Sequence, residues 1–160
     1  MIGVMSDSHD NVDAIKKTVR FFNEAQCELV LHAGDFIAPF AARELGHLSC
    51  PVKAVFGNCD GEKVGLKKVF VSLGEIEEEP VVFTYAQRII LLTHTQFANE
   101  KYIRSGKYAA VIYGHTHKPD VKKKNNILVV NPGETGGWLT GKNTVALLDP
   151  ARLEAEIVFL

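Results

Sequence analysis

The chain has no marked excess of charge of either sign and no long hydrophobic run. Its 18 Lys and Arg residues are balanced by 19 Asp and Glu residues, which leaves a formal net charge of −1. No basic field or basic groove with interleaved aromatic residues therefore indicates nucleic acid as a partner. No apolar stretch approaches the roughly 20 residues of a membrane-spanning helix. Because the first residues also lack the basic segment and cleavage site of a secretory signal, we expect a cytoplasmic protein with no membrane partner.

Cysteine is scarce, with three residues in 160. The number is odd, and the spacing matches neither a paired-thiolate zinc site nor a disulfide framework. We interpret Cys27 and Cys50 as small buried or half-buried residues. Cys59 lies in a polar segment that is discussed below.

The length and composition predict one globular domain that spans residues 1–160. Apolar segments at 2–6, 28–35 and 51–58 predict buried strands. Helical spacing of apolar residues predicts a helix over 11–25, and a short helix is expected around 38–47. This alternation favours an α/β fold with parallel strand pairing.

The second half of the sequence is less regular. Residues 74–80 are rich in Glu and are interpreted as a solvated acidic loop. Residues 81–94 predict two strands around Ala86 and Gln87, and a helix is expected near 97–106. Residues 122–126 are typical of a charged turn between two further strands.

Polar residues that can bind a metal follow five of the predicted strands, in the segments SDSH, AGD, GNCD, LTH and YGHTH. Ligands collect at the carboxyl ends of strands in open α/β sheets. Any one of these residues could instead be a helix cap, a turn residue or a buried histidine. Seven at strand ends form a pattern that independent caps do not explain. The candidates are Asp7, His9, Asp35, Asn58, His94, His115 and His117.

The last two candidates would share one face of the chain if their segment stays extended, because alternate residues of a strand point the same way. Two histidines lie outside the candidate set. We expect His32 to be buried beside Asp35 and His47 to lie on the surface.

The donor set indicates the kind of metal. Imidazole, carboxylate and amide oxygen without thiolate suit borderline or hard divalent ions, such as Mn, Fe, Ni, Co or Zn. Seven ligands are too many for one tetrahedral zinc ion. They suit two ions about 3.5–4 Å apart that share a bridging carboxylate and convert a bridging water into hydroxide, as in many phosphatases.

In this order, D-x-H, G-D, G-N-x-D, a strand-end His and G-H-x-H resemble the motifs of the calcineurin-like metallophosphoesterase superfamily, over nearly the whole chain. GNCDGE and VVNPGETGG resemble its YfcE-like branch of small bacterial and archaeal phosphodiesterases, which is related to a scaffold subunit of the retromer complex. The resemblance implies a four-layer αββα sandwich. It also implies two divalent ions per chain, with Mn as the first choice, and permits homo-oligomers.

The resemblance also assigns roles to residues. One metal would be held by Asp7, His9 and His117, the other by Asn58, His94 and His115, with Asp35 bridging the two. Asn58 would also contact the substrate phosphate, and Asp60 would serve catalysis by orienting its neighbours. Residues 131–137 would form a glycine-rich loop near the site, although a plain connecting turn explains them equally well.

Two departures from the superfamily pattern concern the substrate side. Cys59 stands where many members have a His that protonates the leaving group, and a thiol is a poor substitute. Thr95 and Gln96 replace the Gly and His of T-H-G-H, so Cys59 and Gln96 are candidate substrate contacts. Without the usual acid, good leaving groups should be favoured.

We therefore expect a metal-dependent phosphodiesterase that hydrolyses small phosphodiesters, with phosphomonoesters as neighbouring substrates. The alternative from another class is a protein-binding scaffold like the retromer subunit, with a weak or vestigial site. An exposed apolar patch away from the strand ends would support that alternative.

Overall fold

The computed structural model describes residues 1–95 and 99–160, and it places the central strands in two sheets. The first sheet has the strand order β11-β10-β1-β2-β3-β4, and the second has the order β5-β6-β7-β9-β8. The strands are β1 (Ile2–Met5), β2 (Leu29–His32), β3 (Val52–Val55), β4 (Gly74–Glu77), β5 (Val81–Tyr85), β6 (Arg88–Leu92), β7 (Ala110–Ile112), β8 (Asp120–Lys124), β9 (Ile127–Asn131), β10 (Thr144–Asp149) and β11 (Glu154–Phe159). The helices are α1 (Val12–Glu24), α2 (Pro39–Ala42), α3 (Lys63–Phe70) and α4 (Asn99–Ser105), and a 3₁₀ helix at Arg43–His47 follows α2.

The apolar strands are buried on both faces, as parallel strands usually are. In β6, Ile90 and Leu92 pack in the apolar layer between the two sheets, whereas Leu91 faces α4. In β1, Ile2 points between the sheets and Met5 packs with the helices that cover the first sheet. The resulting order of layers is helix, sheet, sheet, helix, so the αββα prediction is confirmed.

Parallel pairing was also predicted correctly. Strands β1, β2, β3 and β4 are parallel neighbours in the first sheet, and β6, β7 and β9 are parallel neighbours in the second. Their carboxyl ends therefore bring the segments that follow them to one edge of each sheet. Among the described residues, no helix has the length and apolar character that a membrane span requires.

The predicted helix over 11–25 is α1. The Asn11 side chain accepts a hydrogen bond from the Ala14 amide at 3.1 Å and so caps the first turn. Ile15, Val19 and Phe22 form its buried face against the first sheet.

The interpretation of residues 74–80 as a solvated loop was wrong for their first half, which is β4. Ile76 is only 7% exposed, because the strand turns it inward and its flanking glutamates outward. Because most residues of this segment are acidic, the sequence pattern does not reveal its single inward-facing position. Similarly, only Asn125 and Asn126 form the turn expected over 122–126, since Lys122–Lys124 belong to β8.

Helix α3 was not predicted, although its buried Leu66 and Phe70 have helical spacing. The predicted helix near 97–106 corresponds to α4, but residues 97 and 98 lie outside the described residues. Cys27 is buried, Cys50 is half-buried and His47 is exposed, as predicted.

Candidate metal centre

The segments that follow five parallel strands carry the candidate ligands. Asp7 and His9 follow β1, Asp35 follows β2, Asn58 follows β3, His94 follows β6, and His115 and His117 follow β7. Three groups of side chains have ligand atoms within 4.8 Å of one another: Asp7 with His9 and His117, Asp7 with Asp35 and His94, and His9 with Asp35 and Cys59.

The backbone is unusual at five of these positions. The φ angle is positive at Asp7 (51°), His9 (47°), Asp35 (63°), His115 (67°) and His117 (59°). The condition that the segment after β7 stays extended is therefore not met, and turns rather than strand alternation orient these two rings. Left-handed backbone at a residue other than Gly costs about 1–3 kcal/mol and clusters at functional sites.

The Asn58, His94 and His115 side chains meet at one point. Asn58 Oδ1 lies 2.8 Å from His94 Nε2 and 2.8 Å from His115 Nδ1, and these two nitrogens are 3.3 Å apart. His94 Nδ1 lies 2.7 Å from the Ala33 carbonyl oxygen, which can only accept, so this nitrogen carries the proton. In the neutral ring, His94 Nε2 then turns a lone pair toward the amide oxygen. Two facing lone pairs repel each other, and a cation near them would relieve the repulsion.

The carboxylates beside these rings are also arranged for a cation. Asp7 is fully buried, and its Oδ1 atom has no hydrogen-bond partner among the described residues. That atom lies 3.5 Å from His117 Nε2. Burial raises the pKa of Asp7, because the charged form is poorly solvated there.

Asp35 is 2% exposed and lies between the other groups. Its Oδ1 accepts a hydrogen bond of 2.8 Å from the Cys59 amide, and its Oδ2 lies 3.5 Å from His94 Nε2. The donor set of imidazole, carboxylate and amide oxygen thus fits divalent ions of the kinds expected from the sequence.

Asp60 holds the backbone of two of these segments. Its Oδ2 accepts hydrogen bonds from the amides of Asp35 (3.0 Å) and Gly57 (2.7 Å), and its Oδ1 from those of Phe36 (2.6 Å) and Ile37 (2.8 Å). Burial raises the pKa of Asp60, and the amide hydrogen bonds offset part of the rise. Both oxygens are occupied by backbone donors, so this carboxylate positions the segments that carry Asp35 and Asn58.

Glu79 lies beside the site, where sequence reasoning had placed a solvated acidic loop. Its carboxylate accepts hydrogen bonds from the Thr93 hydroxyl (2.6 Å), the Thr95 amide (2.8 Å) and hydroxyl (3.1 Å), and the His94 amide. Desolvation alone would raise the pKa of Glu79, but these hydrogen bonds outweigh it and lower the pKa. The only signal in the sequence is the hydroxyl pair that flanks His94.

Glu134 supports the other side of the site, so residues 131–137 lie near it and are more than a connecting turn. The side chain is fully buried, and Oε1 lies 3.1 Å from His117 Nδ1, although the two atoms are not aligned as a hydrogen bond. Desolvation would raise the pKa of Glu134, but hydrogen bonds from Leu139 and Thr140 lower it overall.

The two substrate-side candidates differ in what the structure describes. Cys59 is exposed at the site, and Asn58 Nδ2 lies 3.3 Å from its Sγ. Partial desolvation and then the negative charge of Asp35 raise the pKa of the Cys59 thiol to about 11. The thiol therefore stays protonated at neutral pH. Gln96 lies outside the described residues.

His32 is buried next to the two residues that flank Asp35, as predicted. Its Nδ1 accepts from the Gly34 amide at 3.2 Å, which leaves Nε2 to donate to the Ser8 hydroxyl at 2.8 Å. A second ring proton would have to lie on Nδ1, where it would face the N–H of Gly34. Burial, followed by the charges of His94 and His9, lowers the pKa of His32 well below its ordinary value.

Residues 1–152 match the Calcineurin-like phosphoesterase superfamily domain, and the chain belongs to this superfamily. It is 37% identical to phosphodiesterase MJ0936 of Methanocaldococcus jannaschii, over 99% of this chain and 98% of that protein. It is 26% identical to phosphodiesterase YfcE of Escherichia coli K12, over 80% of this chain and 75% of that protein. A solved structure of an archaeal phosphodiesterase superposes with a TM-score of 0.94 at 36% identity, over 99% of each chain. These relatives confirm the resemblance drawn from the motifs and indicate a hydrolase of the phosphoesterase kind.

Proposed function

We propose that this protein is a phosphodiesterase that acts on small diesters in the cytoplasm with two divalent ions, Mn²⁺ first among them. The observation that carries the proposal is the convergence of His94 Nε2, His115 Nδ1 and Asn58 Oδ1 beside buried carboxylates. A cation placed here would neutralise these groups, which are costly to bury as facing acceptors and carboxylates.

Each residue of the set has a proposed part. Asp7, His9 and His117 would hold one ion, Asn58, His94 and His115 the other, and Asp35 would contact both. When bound, the ions supply an activated water and positive charge for the developing phosphoryl oxyanion. Asn58 also lines a pocket at the site together with His9, His115 and His117, where its amide group can orient a phosphoryl oxygen.

The surrounding residues hold this set in place. The Ala33 carbonyl fixes the protonated nitrogen of His94 and leaves the other free to bind. Asp60 holds the segments of Asp35 and Asn58. The Cys59 thiol would give the leaving group little protonation, because partial desolvation and the Asp35 charge raise its pKa to about 11. This favours substrates with acidic leaving groups.

The scaffold alternative also has an observation in its favour. Val64 is 71% exposed on α3, and Val71 is 87% exposed just after that helix, where the chain leads into the start of β4. Scattered exposed apolar side chains are ordinary at protein surfaces, however, and a scaffold does not require a converging set of acceptor atoms.

The test is hydrolysis of bis-p-nitrophenyl phosphate and p-nitrophenyl phosphate by metal-stripped protein, with Mn²⁺, Ni²⁺, Co²⁺, Zn²⁺ or Mg²⁺ added singly. We expect metal-dependent cleavage that is faster on the diester. Asn58→Ala should reduce it at least 100-fold, because the variant loses both a ligand and a phosphate contact. His47→Ala, which changes an exposed histidine far from the site, should leave the rate unchanged.

Absence of turnover with every metal would contradict the proposal and favour the scaffold. Equal turnover in Asn58→Ala and wild-type protein would also contradict it, because the activity would then come from elsewhere.

A further inference from the structure

Large apolar side chains are exposed at the mouth of the candidate metal centre. A pocket of about 320 Å³ has His9, Asn58 and His115 among its lining residues, and Trp138 and Leu139 also line it. Trp138 is 61% exposed and Leu139 is 78% exposed. We call these last two residues the apolar rim.

The apolar rim belongs to the loop that follows Glu134. The Glu134 carboxylate accepts hydrogen bonds from the amides of Leu139 (2.9 Å) and Thr140 (2.8 Å) and from the Thr140 hydroxyl (2.8 Å). The same carboxylate lies 3.1 Å from the ring of His117. One buried group therefore fixes the rim relative to a candidate metal ligand.

The loop is closed by further hydrogen bonds. The Gly141 amide donates to the Gly137 carbonyl at 3.0 Å, and the Asn143 side chain donates to the Thr135 carbonyl at 2.8 Å. Gly137 has a φ of 68°, and a Cβ there would lie 2.7 Å from the Asn143 side chain. An exposed aromatic on a loop held this firmly is pre-organised to bind a ligand.

Ile37 extends this apolar surface across the pocket. It is 36% exposed, and its amide is held by Asp60 at 2.8 Å. Apolar side chains with a few convergent polar groups are the usual lining of a site for a small organic ligand.

The charge of the pocket limits the ligand further. Among the described residues that line it, none is Lys or Arg, and Asp10 adds a negative charge at the mouth. A dianionic monoester or a polyanionic chain would find no Lys or Arg side chain among these lining residues. A diester carries only one negative charge, which the metal centre can neutralise.

We propose that the apolar rim binds the organic group of the substrate that stays on phosphorus, so that the preferred substrates are monoanionic phosphodiesters in which this group is aromatic or similarly apolar. This inference rests on the proposed function. Trp138 supplies a flat surface on which an aromatic ring can stack, and Leu139 covers the adjacent edge.

The first experiment compares two diesters with the same leaving group, phenyl p-nitrophenyl phosphate and methyl p-nitrophenyl phosphate. We expect wild-type protein to prefer the phenyl diester by about tenfold in kcat/KM, mainly through KM. Trp138→Ala should bring this ratio close to one, and Trp138→Phe should restore part of it. Val71→Ala, which changes an exposed apolar residue elsewhere, should keep the wild-type ratio.

The second experiment does not require turnover. Trp138 is the single tryptophan of the chain, so its fluorescence reports directly on the rim. Diphenyl phosphate should change the fluorescence of Mn²⁺-loaded protein saturably, whereas dimethyl phosphate should not.

The outcomes separate the two proposals. Hydrolysis of both diesters at equal kcat/KM without a fluorescence response would overturn the rim proposal and leave the phosphodiesterase intact. A saturable response to diphenyl phosphate alone, without hydrolysis of any ester, would support the rim and contradict the proposed function.

Discussion

Gly57 illustrates how closely the segments of the site approach one another. A Cβ at this position would lie 2.1 Å from Asp35 Oδ1 and 2.5 Å from the Asp35 amide nitrogen. Neither neighbour can move freely, because Asp60 holds the Asp35 and Gly57 amides together. The absence of a side chain is therefore a requirement of the site.

We predict that Gly57→Ala displaces the Asp35 carboxylate and weakens Mn²⁺ binding by about 10–100-fold. Isothermal titration of metal-stripped protein measures this affinity. Gly61→Ala is the matched control, because a Cβ there would meet no atom within 4 Å. Equal loss of affinity in both variants, or none in Gly57→Ala, would contradict this reading of the site.

At the same scale, the sequence shows the chemical type of each candidate ligand, but it does not show which residues hold that ligand in place. Glu79 and Glu134 are separated from the histidines that they contact by 15 and 17 positions. Glu79 lies in a glutamate-rich segment. Nothing in that segment shows that this residue accepts hydrogen bonds from the loop of His94 while its neighbours are solvated. Burial and hydrogen bonding make that distinction, and both depend on the folded chain.

Among the elements, the segment after β6 shows how a loop can be held from a distant part of the chain. Glu79 follows β4, and its carboxylate receives the Thr93, His94 and Thr95 donors. Thr95 stands where the superfamily pattern T-H-G-H has glycine, and its hydroxyl donates a hydrogen bond to Glu79. The residue that departs from the superfamily pattern, Thr95, thus has a hydrogen-bond partner in Glu79.

We predict that Glu79→Gln lowers Mn²⁺ affinity by about 10–100-fold and reduces diester hydrolysis with it. The amide keeps one acceptor oxygen and turns a donor toward the amides of the loop. Glu78→Gln is the control, since Glu78 is exposed and pairs with Lys63 at 2.8 Å on the surface, where such pairs contribute little.

Metal affinity, measured beside the melting temperature of the metal-free protein, is the readout. A loss of melting temperature in Glu79→Gln without any change in affinity would show a purely structural role and contradict the prediction.

The elements also mark where sequence patterns fail. The spacing of apolar residues predicted α1 and the parallel central strands, because these elements bury whole faces. It missed β4, in which a single residue points inward. It also left open the conformation of the segment from His115 to His117, where the chain turns with positive φ values and the His115 amide lies 3.0 Å from Asp7 Oδ2.

At the scale of the whole molecule, the two sheets supply the site together. The segment after β1 comes from the first sheet, the segment after β7 from the second, and their contact joins residues 108 positions apart. Sequence order alone does not reveal this proximity. The repeated occurrence of metal-binding residues directly after predicted strands indicated it. The prediction of one domain over 1–160 stays a prediction.

The most direct test of the account is the number of Mn²⁺ ions that one chain binds at equilibrium, determined by dialysis and elemental analysis. We predict two ions for wild-type protein. His115→Ala and His117→Ala should each retain one, with an unchanged far-ultraviolet circular dichroism spectrum, because each would remove a proposed ligand of a different ion. A single ion or none in wild-type protein, or the loss of folding in both variants, would contradict the two-metal centre.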